Sequence, residues 1–466
     1  MSRLIIVSNR VQPPTGEGGG NQGGLAVALS AALRESSGIW FGWSGEVAEQ
    51  FTGHINLRRA FGVTTATVDL EEQDVDEYYN GYANRTLWPL FHYRVDLAEF
   101  ESGFAEGYER VNRRFAETLQ PLVEEDDLIW VHDYHMFPLG RFLRDRGVRN
   151  RMGFFLHIPW PPYRLLMSLP DHRELVETLF AYDVVGFQTQ DSLEAFHDYV
   201  VHEMGGTVEE DGRVVVGDRS VLARACPIGI DTDNFLEAAR SPAAKDAYDR
   251  MRESANGRDM IVGVDRLDYS KGLQERFLGY ERLLQQEEGL HGRLFLLQIA
   301  PPSRGDVQSY QEIRAGLDSL SGRINGAYAD AEWVPIRYVN RGYPRDRLAG
   351  IYRAARIGLV TPLRDGMNLV AKEYIAAQDP EDPGVLILSR FAGAAEQLSD
   401  ALLINPHSPE DIADAIQKAL AMPLAERKAR WRACMDSVEQ QDVMWWRRCF
   451  LSALAGEEEC SQADAA

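Results

Sequence analysis

Thr361-Pro362-Leu363-Arg364-Asp365-Gly366-Met367-Asn368-Leu369-Val370-Ala371-Lys372-Glu373 reads as the end of a strand, a short loop and the start of a helix. The apolar run Ile357–Val360 stops at Pro362, and the composition from Asn368 onward is helical. Asp365 and Glu373 stand eight positions apart, about two helical turns, near one face of that helix. The helix start, Gly366 through Val370, offers backbone N–H groups and the positive end of a dipole. Phosphate on the backbone and hydroxyls on two carboxylates are what a nucleotide-sugar would ask of such a site. The plainer alternative is an acidic helix start followed by a surface glutamate.

The rest of the chain bears on that choice. Its 466 residues, at roughly 150 per domain, suggest two or three domains with ample core. It is 45% hydrophobic and 26% charged, a globular composition. No apolar run approaches the roughly 18–20 residues of a membrane span. The N-terminus runs directly into the apolar Leu4–Ser8, so no signal peptide and no membrane partner are expected. Cys226, Cys434, Cys449 and Cys460 are scattered without metal or disulfide spacing, which suits a reducing cytoplasm. A formal net charge of −22 argues against nucleic acid as a partner. It also requires that any phosphate be met by positive charge concentrated locally.

Apolar strands alternate with helix-like stretches throughout, the pattern of an α/β protein with mostly parallel sheets. The clearer strands are 4–8, 128–132, 153–157 and 184–188, then 260–264, 294–299, 357–360 and 385–388. Helices are expected over 25–35, 98–122, 273–286, 368–378 and 409–420. The polar stretch from about Asp231 to Gly257 reads as a domain junction. A last helix-like segment carries Trp445, Trp446 and Phe450 and is too apolar to stay solvated, so packing back across the first domain is expected. Two facing α/β domains would place the carboxyl ends of strands from both on one cleft.

Several motifs sit at those strand ends. Ser8-Asn9-Arg10 closes the first strand, and Gly18 to Gly24 follows in a loop. The loop fits G-x-G-x-x-G, with Glu46 as a ribose acid, but its glycines lie too far from the strand for a dinucleotide fingerprint. A loop whose Gly23-Gly24 lets backbone N–H groups reach a phosphate is the better reading. His132-Asp133-Tyr134-His135, with His157, resembles a ligand set for a metal. Successive strand residues point apart, however, and nothing completes a tetrahedron, so no metal is expected. Asp133 is read as an acceptor of sugar hydroxyls, and His157 as a histidine delivered to the cleft or a core residue. Arg266 and Lys271, on the loop Asp265–Gly272, place two cations where a diphosphate could lie. Arg304 lies on another arginine-bearing loop, and Tyr78, Tyr79 and Trp88 bring aromatics to the first domain as a sugar-binding surface would, although any aromatic there could equally be core.

Taken together, these segments resemble the trehalose-6-phosphate synthases, retaining glycosyltransferases of family 20 and GT-B fold, and stand close to the bacterial members. The likeness runs from Leu4 to about Phe450 through VSNR, GGL, EYYN, LWP, HDYH, FFLHIP, GFQT, PIGI, RLDYSKG, LVTPLRDGMNLVAKEY and LSRFAGA. It implies two Rossmann-like domains, an acceptor-binding one over 1–235 and a nucleotide-sugar-binding one over 236–440, with 441–466 as the returning helix and a polar tail. Arg10, Tyr79, Trp88 and Arg304 match positions that hold the phosphate of glucose 6-phosphate, and Asp133 matches a contact to an acceptor hydroxyl. Gly23 and Gly24 match the loop over the donor phosphates, and His157 a contact to the donor sugar. Arg266 and Lys271 match the pair on the leaving diphosphate, Asp365 a contact to donor glucose, and Glu373 the ribose acceptor. Gly366, Met367, Asn368, Leu369 and Val370 complete the expected donor site. The catalytic set implied is Asp133, His157, Arg266, Lys271 and Asp365.

The reaction implied is glucose transfer from a nucleoside diphosphate glucose, UDP-glucose above others, to glucose 6-phosphate, giving α,α-trehalose 6-phosphate with retention. No metal or cofactor is required if the two cations serve the leaving group. A homo-oligomer, and a separate phosphatase acting on the product, are further expectations, as is a role in osmoprotection. A glycerol 3-phosphate-using synthase and a non-catalytic sugar-phosphate sensor are the alternatives. Ile158-Pro159-Trp160-Pro161-Pro162-Tyr163-Arg164-Leu165-Leu166 departs from the family's usual run after His157. It is read as lining the cleft, where it would bear on acceptor fit.

Overall fold

The computed structural model describes residues 3–11, 29, 33, 38–60, 62–303 and 308–457. They fall into two compact units, one holding the chain up to Ile228 together with Met444 onward, the other Gly229–Val443.

The first unit is built on a sheet of ten described strands. They are β1 (Leu4–Arg10), β2 (Ile39–Ala48), β3 (Asn56–Ala60), β4 (Val63–Glu71), β5 (Leu128–His132), β6 (Met152–Phe155), β7 (Val184–Phe187), β8 (Thr207–Val208), β9 (Arg213–Val216) and β10 (Arg219–Ala225). Their order is β3-β4-β2-β1-β5-β6-β7-β10-β9-β8. The middle, from β4 to β10, is parallel, and antiparallel strands finish both edges. Central strands are buried on both faces, which is why β1 and β5 read as continuous apolar runs.

The segment Val443–Ala455 is a helix whose Phe450 and Trp446 pack on this sheet. Phe450 stacks on Trp130 at 4.8 Å, and Trp446 lies 4.9 Å from the same ring. Gly153 and Gly186 leave the space that Phe450 fills: a Cβ on either would stand 2.7 Å from its ring. Cys226 and Cys449, far apart in sequence, meet here with their sulfurs 3.7 Å apart, within hydrogen-bonding reach as thiols and not joined as a disulfide.

The second unit is a six-stranded parallel sheet: β11 (Asp259–Val264), β12 (Leu294–Ile299), β13 (Ile336–Val339), β14 (Ile357–Val360), β15 (Val385–Ser389) and β16 (Leu402–Ile404), ordered β13-β12-β11-β14-β15-β16. Helices Leu273–Gln286, Leu369–Ala377 and Pro409–Ala421 lie close to the expected spans. Of the helix expected over 25–35, Leu29 and Leu33 are described, and both are helical and fully buried. The chain changes units at Ile228, ahead of the polar stretch that composition marks as a junction. That stretch forms helices Thr232–Ala239 and Pro242–Ala255, and Phe235 is buried there with Arg345 stacked 4.9 Å over it.

One expectation is corrected and one open alternative is decided. Trp160, read as lining a cleft, is 1% exposed in the first unit's core, edge-on to Phe91, Phe187 and Phe196. Its ring fills volume among aromatics, so at this position the departure from the family pattern is a matter of packing. Tyr78 is likewise core, fully buried, with its hydroxyl donating to Asn9 Oδ1 at 2.8 Å.

Candidate active site

In both sheets the strand order reverses direction beside the first strand of the unit: between β1 and β5, and between β11 and β14. Ligands of open α/β sheets bind outside the carboxyl ends at such switch points. The candidate residues of each unit collect there.

At the first switch point Arg10 ends β1, and its guanidinium lies 5.7 Å from the centre of the Trp43 ring. It passes over Gly45 (φ +92°), where a Cβ would come within 2.4 Å of Arg10 Nη2. Trp43 meets Tyr79 edge-on at 5.6 Å, and Tyr79 stacks on His135 at 6.0 Å. Arg10, Trp43 and Tyr79 therefore form one continuous arrangement, with Tyr79 half-buried. Tyr79 sits in the π-helical stretch Val75–Leu87, a rare backbone form common at functional sites. Trp88, by contrast, is 5% exposed and packs on His92 and Tyr134.

Asp133 follows β5 with φ 76°, a left-handed conformation that few residues besides Gly, Asn and Asp accept. Its N–H donates to Phe155 O at 2.8 Å, and its Oδ1 accepts the N–H of His157 at 3.1 Å. Asp133 and His157 are thus brought together. His157 is half-buried as a residue, and burial of its ring holds it neutral by pushing its pKa down to about 3.

At the second switch point the loops after β11 and β14 are stitched together. Leu363 N–H donates to Ser270 O at 2.8 Å, and Thr361 Oγ1 to Gly272 O at 3.1 Å. Gly272 (φ +61°) must be glycine, because a Cβ would fall 2.0 Å from Thr361 O. This seam sets Lys271 Nζ 2.5 Å from Asp365 Oδ2. Arg266, on the same loop, is exposed.

Asn368 (φ 80°) joins the seam to the helix that follows. Its Nδ2 donates to Asp365 Oδ2 at 3.1 Å, and its Oδ1 accepts from Ala371 N–H at 3.2 Å, capping Leu369–Ala377. Backbone bonds from Phe391, Gly393 and Ala394 fix Asp365 and Met367, so the LVTPLRDGMN and LSRFAGA runs form one structural piece. Gly366, Met367 and Asn368 are buried, while Leu369 and Val370 are half-buried on the first turn. Glu373, one turn on, has its carboxyl pushed up to about 7 by burial, against the pull of Arg345. Lys372 is buried and donates to Gln397 Oε1 at 2.6 Å.

Beneath this loop lies a pair that sequence reading missed. Arg276, fully buried, contacts Asp265 at 2.7 Å and donates to Gln298 Oε1 at 2.8 Å and Thr361 Oγ1 at 3.0 Å. Gly263 leaves room for it, since a Cβ there would stand 2.4 Å from Arg276 Nη1. Gln188, Trp43 and Gly45 were missed as well, His132 was weighed only as a metal ligand, and nothing in their local sequence names a partner. Gly23, Gly24 and Arg304 lie outside the described residues. Among the described residues no group of three or more His, Cys, Asp or Glu is placed to hold a metal ion.

Two doubly wound α/β units, each carrying polar side chains at its switch point, define a GT-B glycosyltransferase. The chain belongs to glycosyltransferase family 20, whose model matches residues 3–456. A trehalose-6-phosphate synthase of Sinorhizobium fredii is 49% identical over 463 residues, spanning 99% of this chain and 100% of that protein. A UDP-forming alpha,alpha-trehalose-phosphate synthase from Burkholderia xenovorans, solved in complex with glucose-6-phosphate, matches with TM-score 0.93 and 49% identity over 97% of this chain and 100% of its own. An E. coli structure of the same fold, bound with UDP-2-fluoro glucose, matches with TM-score 0.93 and 44% identity, covering 98% of this chain and 100% of that one.

Proposed function

We propose that this chain is a trehalose-6-phosphate synthase: it moves glucose from a nucleoside diphosphate glucose, UDP-glucose first, to O1 of glucose 6-phosphate. The product is α,α-trehalose 6-phosphate, with retention at the donor anomeric carbon. The relative and the solved structure described above, covering 99% and 97% of the chain, are trehalose-phosphate synthases, which supports this reading. The observation that carries the assignment of residues is the Lys271–Asp365 contact, which couples a diphosphate-binding cation to a sugar-binding carboxylate.

In this reading Arg266 and Lys271 hold the leaving diphosphate, Asp365 the donor glucose and Glu373 the ribose. The helix start from Gly366 to Val370, with Gly23 and Gly24, supplies backbone N–H groups to the phosphates. Arg10, Tyr79, Trp88 and Arg304 serve the acceptor phosphate, Asp133 an acceptor hydroxyl, and His157 the donor sugar. The bond from C1 to the β-phosphate oxygen breaks as the bond from C1 to the acceptor O1 forms on the same face. The proton of the acceptor hydroxyl passes to the departing phosphate oxygen. Two cations on the diphosphate supply the charge that a divalent ion supplies elsewhere, so the reaction needs no metal or other cofactor. We further propose that the chain works in a reducing cytoplasm, self-associates, and hands its product to a separate phosphatase. Among the described residues no helix is long and apolar enough to cross a membrane.

The test is nucleoside diphosphate release from UDP-glucose with chelator present, comparing glucose 6-phosphate, glycerol 3-phosphate and no acceptor. Release that depends on glucose 6-phosphate is expected. Release with glycerol 3-phosphate alone, or with neither, would overturn the reading.

A further inference from the structure

Behind Asp133 and His157 runs a row of buried polar groups that the reading above leaves unused. The N–H of Ile228 donates to Gln188 Oε1 at 2.9 Å. This sets the orientation of the Gln188 amide and puts its Nε2 3.1 Å from His157 Nδ1. An amide nitrogen only donates, so His157 Nδ1 is the unprotonated acceptor and the proton of its neutral ring sits on Nε2. His157 Nε2 lies 3.0 Å from His132 Nδ1. His132 must then accept at Nδ1 and carry its own proton on Nε2. That ring is fully buried between Trp130, 4.5 Å away, and Trp446, 6.2 Å away, and burial holds it neutral too.

We propose that Gln188 and His132 are positioning residues that hold His157 in a single tautomer, with the proton on Nε2. The inference rests on the placement of His157 against the donor sugar. Its consequence is chemical. With Nδ1 holding the Gln188 N–H, the ring has no free lone pair and cannot take the proton of the acceptor hydroxyl. What it can offer a sugar oxygen is the Nε2–H, shared with or released from His132. His157 thus orients the donor glucose as a hydrogen-bond donor, and the acceptor's proton is left to the departing phosphate.

The first test needs no activity. Nitrogen-15 histidine labelling of the full chain, with His157 assigned by loss of its signals in His157→Gln, reports the tautomer directly. An Nε2-protonated ring near neutral pH is expected; an Nδ1-protonated or doubly protonated ring would overturn the inference.

The second test uses Gln188→Glu. The carboxylate still accepts from Ile228 N–H but turns the other oxygen, an acceptor, toward His157 Nδ1. The His157 signal should shift to Nδ1 protonation, and kcat should fall about tenfold or more while the KM for the acceptor stays unchanged. His132→Gln, which keeps an acceptor, should retain more activity than His132→Leu at matched thermal stability. A Gln188→Glu chain that keeps the wild-type tautomer and kcat would refute the proposal. So would two His132 variants that lose activity only in step with stability. An Nε2 tautomer in a wild-type chain with no glucosyl transfer would sink the functional reading while leaving the relay standing.

Discussion

Lys271 and Asp365 stand 94 positions apart in the chain, yet Nζ and Oδ2 meet at 2.5 Å, with both side chains near one-eighth exposed. The carboxylate sits on the ammonium that, in the proposed roles, a diphosphate would use. In those roles, donor binding would exchange one anion for another at Lys271 and turn Asp365 toward glucose hydroxyls. Asp365→Asn should tighten UDP, which has no glucose to lose, by about fivefold, the worth of an ion pair of about 1 kcal/mol. It should also slow turnover. Lys271→Ala should lower turnover by about a hundredfold, as for a lost oxyanion donor. Calorimetry with UDP and steady-state rates separate the two; weaker UDP binding in Asp365→Asn would show that the pair does not compete with the diphosphate.

Arg10 owes its position to an absent side chain. Gly45→Ala would drive a methyl into the guanidinium, at a φ of +92° that L-residues rarely adopt. We expect the KM for glucose 6-phosphate to rise by about tenfold, the cost of roughly 1.4 kcal/mol, with the donor KM unchanged. A rise in both would mean that the first unit had been disturbed more widely.

With Glu373 in the proposed ribose-binding role, donor binding is expected to depend on pH. Burial lifts its carboxyl to about 7, and the ionised form, an acceptor at both oxygens, is the better partner for two ribose hydroxyls. The donor KM should rise as pH falls through about 7, and Glu373→Gln should lose that dependence. Stability runs the other way. A carboxyl whose folded pKa exceeds its unfolded value lends stability below the unfolded value and loses it as pH rises through about 7. Glu373→Gln should accordingly be more stable than the wild type above neutral pH, by about 1–2 kcal/mol after allowance for partial exposure. The advantage should vanish below the ordinary glutamate range. Thermal melts across that range would decide it, and a constant offset would remove Glu373 as the cause.

Much of the architecture was legible because central parallel strands are apolar on both faces. Leu128–His132, Leu294–Ile299 and Ile357–Val360, and the helix Leu273–Gln286, begin and end where the residue pattern places them. β2 and β4 were not marked, since Ile39–Ala48 carries glycines and polar residues and Val63–Glu71 is rich in threonine. The π-helical stretch Val75–Leu87 has no periodicity that a search for 3.6-residue repeats would find. Asp133 stood out as a polar residue at a strand end and Asn368 as a helix start, and both take positive φ, for which Asp and Asn are suited. Illegible were partnerships across the fold. Nothing around Arg276 names Asp265, and nothing around Gln188 names His157, because such contacts are set by which strands lie side by side.

The Asp265–Arg276 pair shows what that adjacency costs. Arg276 is fully buried, and the Asp265 carboxyl is raised by burial even with the guanidinium beside it. Removing one partner leaves the other charge, or a proton taken up to cancel it, in a site built for an ion pair. Arg276→Met should destabilise the protein by about 3–5 kcal/mol, read from denaturant midpoints. Replacing both, as Asp265→Leu with Arg276→Met, should recover most of that loss, since an apolar pair of similar volume carries no desolvation penalty. Activity should not recover with it. Arg276 holds Thr361, Thr361 holds Gly272, and Gly272 is the residue after Lys271, so a stable double variant should bind UDP more weakly than the wild type. If the double variant regains both stability and UDP affinity, the pair is packing alone and the loop keeps its shape without it.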